Sequence, residues 1–106
     1  MRVIDLDRDA VKQGLADGSL LLIDVREAHE YGDGHIPGAV THPLSAFDPQ
    51  ALAALVEGDA RRPVFVCAAG VRSVHALHAA QQAGLPIEAH YRGGFTDWYA
   101  AGEAVE

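Results

Sequence analysis

Short apolar runs alternate along the chain with stretches whose apolar positions repeat at helical spacing. The two strongest runs, residues 20–23 and 64–67, are continuously apolar, which is typical of strands covered on both faces. Weaker strand candidates lie at residues 3–4, 39–41 and 87–91. The pattern therefore predicts about five strands.

Helix start and stop signals separate these runs. Asp7 and Asp48 are candidate N-caps, and Asp48 is followed by a proline at the first helical position. Gly58 and Gly84 stand where helices are expected to end. We expect helical segments at about residues 7–17, 27–31, 48–58, 72–83 and 95–101.

Strands separated by helices of this length require crossover connections, so the strands are expected to run parallel. The predicted fold class is therefore α/β, a three-layer domain with a central parallel sheet of about five strands and helices on both faces. The chain has 106 residues and no linker-like change in composition. This length and uniformity predict one domain over residues 1–106.

Charge and hydropathy exclude several classes of partner. The formal net charge is −7, and no basic run is present that could neutralise consecutive phosphates, so nucleic acid is not expected as a partner. The longest apolar stretch is far shorter than a membrane span, and Asp5 interrupts the start of the chain where a secretory signal would be apolar. We therefore expect a cytoplasmic protein with no membrane partner.

Cys67 is the only cysteine in the sequence, which excludes an internal disulfide and a multi-cysteine metal site. It is predicted to be the last residue of a buried strand, at the sheet edge where open parallel sheets bind ligands. The segment that follows it contains small residues, one glycine and one arginine: Ala68, Ala69, Gly70, Val71, Arg72 and Ser73.

Such a segment can turn successive backbone N–H groups toward one point, and the following helix N-terminus adds to this anion-binding geometry. A thiol that faces these groups favours the nucleophilic thiolate, and Arg72 adds a forked positive charge. Cys67 is alternatively a small core residue, because free cysteines are among the most buried residue types. The glycine, the arginine and the helix start favour the reactive thiol.

Four segments, in this order, resemble the rhodanese (sulfurtransferase) family in its single-domain form. Residues 22–26 (Leu-Ile-Asp-Val-Arg) look like the family's Asp-Val-Arg strand end, and residues 30–39 contain Glu-Tyr followed by Gly-His-Ile-Pro-Gly-Ala. Residues 67–73 look like the active-site loop, and residues 93–98, with Gly-Gly-Phe and a tryptophan, look like the closing motif. The resemblance covers nearly the whole chain.

This resemblance implies a ping-pong transfer of sulfur. The Cys67 thiolate attacks the outer sulfur of a small anionic donor such as thiosulfate, sulfite leaves, and a persulfide remains on Cys67. An acceptor such as cyanide, a thiol or a sulfur-carrier protein then takes that sulfur. The N–H groups of residues 68–73 are expected to hold the persulfide and the donor, with Arg72 at the donor's oxyanion end. No cofactor and no metal are needed.

Two other functions remain open. Related dual-specificity phosphatases place five residues between cysteine and arginine, whereas four separate Cys67 from Arg72, which disfavours phosphatase or arsenate reductase chemistry. The other alternative is a non-catalytic rhodanese-like docking or regulatory module. Family members of that kind usually lack the cysteine, and this chain retains it.

Residues outside the loop are expected to have structural roles. Asp24 and Arg26, at the end of the other strong strand, are expected to support the site through loop N–H bonds and an ion pair. His75 and His78 share a helix face that we interpret as solvated, with no third metal ligand at suitable spacing. Arg92 is a further candidate for positive potential near the loop.

Overall fold

The structure is a computed structural model that describes residues 1–106. The strands are β1 (Ile4–Leu6), β2 (Leu20–Asp24), β3 (Val40–Thr41), β4 (Arg62–Val66) and β5 (Ala89–Tyr91). The helices are α1 (Arg8–Ala16), α2 (Ala28–Asp33), α3 (Pro49–Glu57), α4 (Arg72–Gln82) and α5 (Gly94–Ala100), with a single 3-10 turn at Leu44–Ala46.

All neighbouring strands in the sheet are parallel, and their order is β1-β5-β4-β2-β3. The predicted α/β class with a five-stranded parallel sheet is therefore confirmed. β4 is the central strand, between β5 and β2. Because parallel strands end at the same edge, the segments that follow β2, β4 and β5 lie close together at that edge.

The sheet separates two apolar layers. One contains alternate residues of the central strands together with Val11 of α1 and Trp98 of α5. The other contains the remaining inward residues together with Leu52 of α3 and Leu77 of α4. Cys67 belongs to the α3/α4 side. Helices therefore cover both faces, as the three-layer prediction requires, and none is long and apolar enough to cross a membrane.

Helix caps follow the sequence signals. The Asp7 carboxylate accepts a hydrogen bond from the Ala10 N–H group at 2.9 Å, and Asp48 accepts from two N–H groups in the first turn of α3. Gly84, just after the end of α4, has a φ of +78°. This is the left-handed conformation that commonly terminates a helix. α2 extends two residues beyond its predicted end, to Asp33.

Two strand boundaries that bear on the site differ from the predictions. β4 ends at Val66, so Cys67 is the first residue of the loop and not the last residue of the strand. The reason is that the Cys67 carbonyl accepts a hydrogen bond from the Phe95 N–H group at 2.8 Å, so it does not pair with a neighbouring strand. β5 begins at Ala89 and not at residue 87, since the Ile87 carbonyl accepts from the Gln81 side chain.

Candidate active site

Hydrogen-bond donors of the loop after β4 converge on the sulfur of Cys67. The N–H groups of Gly70 and Ser73 donate to Sγ at 3.2 and 3.3 Å, and the Ser73 hydroxyl oxygen lies 3.4 Å from Sγ. The Cys67 side chain packs among apolar residues of the α3/α4 layer and is 1% exposed. The sulfur is therefore buried, yet it faces the backbone N–H groups that were expected around it.

The start of α5 holds this loop in its curled shape. The carbonyls of Cys67 and Ala68 accept hydrogen bonds from the N–H groups of Phe95 and Thr96 at 2.8 and 3.0 Å. With these carbonyls turned toward α5, the following N–H groups are free to turn toward the sulfur. Gly94 permits the approach, because it has φ of +67° and a Cβ there would collide with the Ala68 carbonyl oxygen.

Gly70 has a similar double requirement further along the loop. Its φ is +86°, and a Cβ at this position would collide with the carbonyl oxygen of Arg92. Only glycine meets both conditions without a shift of the backbone. The predicted glycine turn therefore presses against the end of β5, and this contact places Arg92 beside the loop.

The environment of Cys67 acts on the pKa of its thiol in two directions. Burial raises that pKa, whereas the Ser73 hydroxyl and the N–H groups of Ser73, Ala69 and Gly70 lower it by hydrogen bonding to the sulfur. The hydrogen bonds outweigh burial, so the pKa lies below its ordinary value of 9.0. The arrangement therefore favours the thiolate.

Arg72 begins α4 and forms a bidentate ion pair with Glu30 of α2. Its two terminal nitrogens lie 2.6 and 2.9 Å from the two carboxylate oxygens. The hydrogen bonds from Arg72 lower the pKa of Glu30 to about 2, so in the folded protein the Glu30 carboxylate is protonated, and the pair is broken, only as pH falls through that value. Arg72 was expected at the oxyanion end of a donor, and the structure shows that Glu30 already holds its guanidinium.

The other predicted loop residues form the surface of the site. Val71 and Ala69 are exposed, and Ala68 is partly buried beneath α5. Arg92 is exposed as well, and it contacts the loop through its backbone. His75 and His78 are exposed on α4. Neither belongs to a group of three His, Cys, Asp or Glu side chains that could hold a metal ion, since the structure contains no such group.

Asp24 and Arg26 form a buried ion pair at the end of β2. Their side chains are 1% and 5% exposed, and the closest nitrogen–oxygen distance is 2.8 Å. The same guanidinium donates to the Gly34 carbonyl at 2.8 Å and lies 4.3 Å from the ring centroid of Phe95. It therefore connects β2 to the segment after α2 and to α5. The Asp24 carboxylate accepts its hydrogen bonds from the backbone N–H group and the guanidinium of Arg26, and not from the loop N–H groups that were expected to donate to it. Neither side chain forms a hydrogen bond with Cys67.

Two features of the site were not identified from the sequence. The sequence motif that contains Glu30 did not indicate its contact with Arg72. The position of Glu30, three residues after the Glu27 N-cap, indicated only a helix-capping residue. His90 is 2% exposed, and its Nδ1 lies 2.7 Å from the hydroxyl oxygen of Ser73. A histidine in a buried strand beside the strand that leads to Cys67 was a usable signal, but its use required knowledge of the strand order.

Comparison with known proteins agrees with this geometry. A family model described as a rhodanese-like domain matches residues 7–101. The probable adenylyltransferase/sulfurtransferase MoeZ of Mycobacterium tuberculosis is 40% identical over 80 residues, which cover 74% of this chain and 20% of MoeZ. The chain therefore spans about a fifth of that relative's length.

Two further proteins match over most of both chains. Thiosulfate:glutathione sulfurtransferase of Saccharomyces cerevisiae is 31% identical over 99 residues, covering 84% of this chain and 71% of the yeast protein. A structure from Rhodopseudomonas palustris, described as a protein of unknown function and possible tyrosine phosphatase, has a TM-score of 0.81 and 31% identity, with 98% of this chain and 85% of that chain covered. By the match of the family model to most of its length, the chain belongs to the rhodanese-like family.

Proposed function

We propose that this protein is a sulfurtransferase that carries a sulfane sulfur on Cys67 as a persulfide. The observation that supports this most directly is the convergence of the Gly70 and Ser73 N–H groups on Sγ. Such donors stabilise negative charge on the sulfur without reorganising during the reaction. Two of the relatives described above are named sulfurtransferases.

The proposed reaction has two balanced steps. In the first, the Cys67 thiolate attacks the outer sulfur of a donor such as thiosulfate; a new sulfur–sulfur bond forms, the donor's own bond breaks, and sulfite leaves with the bonding electrons. In the second, an acceptor thiolate or cyanide attacks the outer sulfur of the persulfide. Cys67 then leaves as the thiolate, and the site returns to its starting state.

The loop residues have distinct roles in this proposal. The N–H groups within residues 68–73 stabilise the thiolate and the persulfide, and in comparable oxyanion sites the loss of one donor costs about 3 kcal/mol. Arg72, held by Glu30, presents positive charge at the start of α4. Asp24 and Arg26 support the loop through β2. Because Cys67 is 1% exposed, we infer that the reacting end of the donor is small.

The yeast relative's name pairs thiosulfate with glutathione, so we propose a sulfane-sulfur anion as donor and a low-molecular-weight thiol as acceptor. A sulfur-carrier protein is the alternative acceptor. The phosphatase alternative is disfavoured because the loop has one residue fewer between Cys67 and Arg72 than phosphatase loops have, and a cradle fits its anion closely.

Mass spectrometry of the intact protein after treatment with thiosulfate tests the proposal. We expect the mass to increase by one sulfur atom, the added sulfur to be lost on addition of cyanide or glutathione, and thiocyanate to appear in the cyanide reaction. The Cys67→Ser variant is nearly isosteric and should fold normally without acquiring the adduct.

Two results would contradict the assignment. Absence of an adduct with thiosulfate and with a hydropersulfide would favour the docking module. Release of phosphate from an aryl phosphate by the protein, with loss of that release in Cys67→Ser, would favour the phosphatase.

A further inference from the structure

A chain of hydrogen-bonding groups runs from the sulfur of Cys67 through the interior to an acidic side chain on β1. Sγ lies 3.4 Å from the Ser73 hydroxyl oxygen, that oxygen lies 2.7 Å from Nδ1 of His90, and Nε2 of His90 lies 2.7 Å from Oδ1 of Asp5. Cys67, Ser73 and His90 are at most 2% exposed. The Asp5 side chain is 50% exposed, so only the far end of the chain meets solvent.

The chemistry of the partners fixes the direction of these hydrogen bonds. A carboxylate only accepts, so Nε2 of His90 carries a hydrogen and donates it to Asp5. In the neutral ring Nδ1 then accepts, and the Ser73 hydroxyl must donate to it. The lone pairs of Ser73 Oγ are left to accept from the Cys67 thiol. Every group in the chain is therefore satisfied while the thiol is protonated.

The same chain is also satisfied after one concerted proton shift. We propose that His90, held by Asp5, receives the proton of Cys67 through Ser73, so that the resting site contains a thiolate and an imidazolium. The S–H bond breaks and leaves its electrons on sulfur, the Ser73 oxygen gains that proton, and the proton it held before passes to Nδ1. Ser73 then donates to the thiolate, and Asp5 remains a carboxylate throughout.

This shift has a physical advantage in a buried site. A lone thiolate among apolar residues of the α3/α4 layer is costly, because burial disfavours an unpaired charge. The proton shift leaves the total charge of the four hydrogen-bonded side chains unchanged, and it places an imidazolium between the thiolate and the Asp5 carboxylate. The charges then alternate in sign along the chain.

Few other groups face His90. Asp5 faces it from β1 and Ser73 from α4, with Cys67 beyond Ser73, and its register neighbour on β4 is the apolar Phe65. Arg72, at the start of α4, is a further cation that interacts with Cys67, since the charge of Cys67 contributes to the raised pKa of Arg72 after the larger effect of Glu30. His90 acts through Ser73, so it is a positioning residue.

This inference rests on the proposed function, but its test needs no sulfur donor. The thiolate absorbs in the ultraviolet and the thiol does not, so a pH titration of absorbance, measured against Cys67→Ser, gives the apparent pKa of Cys67 even though the sulfur is buried. We expect Asp5→Asn to raise that pKa by about one unit, a tenfold smaller thiolate fraction on the acid side. His90→Asn should raise it further.

The matched control is Asp9→Asn, which removes the same charge from the exposed Asp9 on α1 and should leave the titration unchanged. Because Asp5 acts through His90, the double variant Asp5→Asn/His90→Asn should titrate like His90→Asn alone. Equal titrations for Asp5→Asn, Asp9→Asn and the unaltered protein would overturn the proposal. Independent, additive shifts in the double variant would overturn it as well.

Nuclear magnetic resonance of the imidazole nitrogens provides a second readout that does not alter His90. We expect an imidazolium in the unaltered protein at neutral pH and a neutral ring in Cys67→Ser, which has no acidic thiol proton to give. The same ring state in both proteins would contradict the relay. If the unaltered protein formed no sulfur adduct while Asp5→Asn still raised the pKa of Cys67, only the sulfurtransferase function would be rejected. The failure of the proposed function and the failure of the relay are therefore distinguishable.

Discussion

Glu30 and Arg72, 42 positions apart in the sequence, form a bidentate ion pair that joins α2 to the first residue of α4. The pair places a guanidinium beside the loop that surrounds Cys67 and opposes it with a carboxylate. Neutralisation by Glu30 limits the attraction of Arg72 for an anion, whereas removal of Arg72 leaves an uncompensated negative charge near the site. The two effects can be separated by mutation.

Arg72→Ala should raise KM for thiosulfate by about tenfold, because a hydrogen bond to a charged group typically contributes about 1.5–3 kcal/mol. Part of that increase would come from repulsion by the unpaired Glu30. The double variant Arg72→Ala/Glu30→Gln removes the repulsion and should recover part of the lost affinity in steady-state kinetics. An unchanged KM in Arg72→Ala would show that Arg72 does not act on the donor.

Gly70 and Gly84 allow the effect of backbone strain to be separated from that of a collision. Both have positive φ, +86° and +78°, but a Cβ at Gly84 meets nothing within 4 Å, whereas at Gly70 it collides with the Arg92 carbonyl. Gly84→Ala should cost about 1–2 kcal/mol of unfolding free energy from strain alone. Gly70→Ala should cost more and should also abolish the sulfur adduct.

Urea denaturation and mass spectrometry of the two glycine variants check this prediction. The stability of Gly84→Ala should fall while its sulfur adduct forms normally. If Gly70→Ala were no less stable than Gly84→Ala and still formed the adduct, the close contact between the loop and the end of β5 would not matter for the site.

Features that depend on a few consecutive residues were predictable from the sequence. The continuously apolar runs indicated β2 and β4, and the small residues after Cys67 indicated a loop of inward N–H groups. By contrast, Asp5 contacts His90 across 85 positions of sequence. That contact exists because β1 and β5 are adjacent in the sheet. Apolar periodicity reports which residues are buried, but it does not report which strands are neighbours.

The same limit applies to Arg72. Its position after the loop was visible in the sequence, and its forked donor group fits an oxyanion or a carboxylate equally well. Which of these it meets depends on where α2 packs, and α2 was only predicted as a short turn. The structure pairs Glu30 with Arg72 because α2 packs with Glu30 facing the start of α4.

Arg26 and Arg61 form chemically equivalent ion pairs in opposite environments. Each guanidinium bonds in bidentate fashion to the aspartate two positions earlier, Asp24 or Asp59. The Arg26 pair is buried, with side chains 5% and 1% exposed, whereas the Arg61 pair lies at the surface. Arg26→Ala should therefore cost about 3–5 kcal/mol, because it strands a buried carboxylate.

Arg61→Ala should leave the unfolding free energy nearly unchanged, since solvent already screens that pair. Thermal and urea denaturation of the two variants measure the contrast directly. Arg26→Lys should not restore the stability, because an ammonium cannot make the forked contact or stack over Phe95. Equal losses in the Arg26 and Arg61 variants would contradict the structural role of the Asp24–Arg26 pair.

Lowering of the Cys67 pKa has a consequence for folding that does not depend on any substrate. An acid whose pKa is lower in the folded state than in the unfolded chain stabilises the fold as pH rises, because the unfolded chain retains the proton longer. For Cys67 this stabilisation is complete above the unfolded value of 9.0 and is lost as pH falls through the lower folded value. Serine at this position does not titrate in that range.

In the His90→Asn background, where the thiol proton cannot pass to the imidazole, the difference in unfolding free energy between the Cys67 protein and its Cys67→Ser counterpart should therefore increase with pH. Its slope should approach about 1.4 kcal/mol per pH unit between the two pKa values and become flat above the higher one. Urea titrations at a series of pH values, with a reductant present to keep the thiol from oxidising, measure this difference. A difference that stays constant or decreases as pH rises would mean that burial outweighs the hydrogen bonds from the loop, and Cys67 would then rest as the thiol.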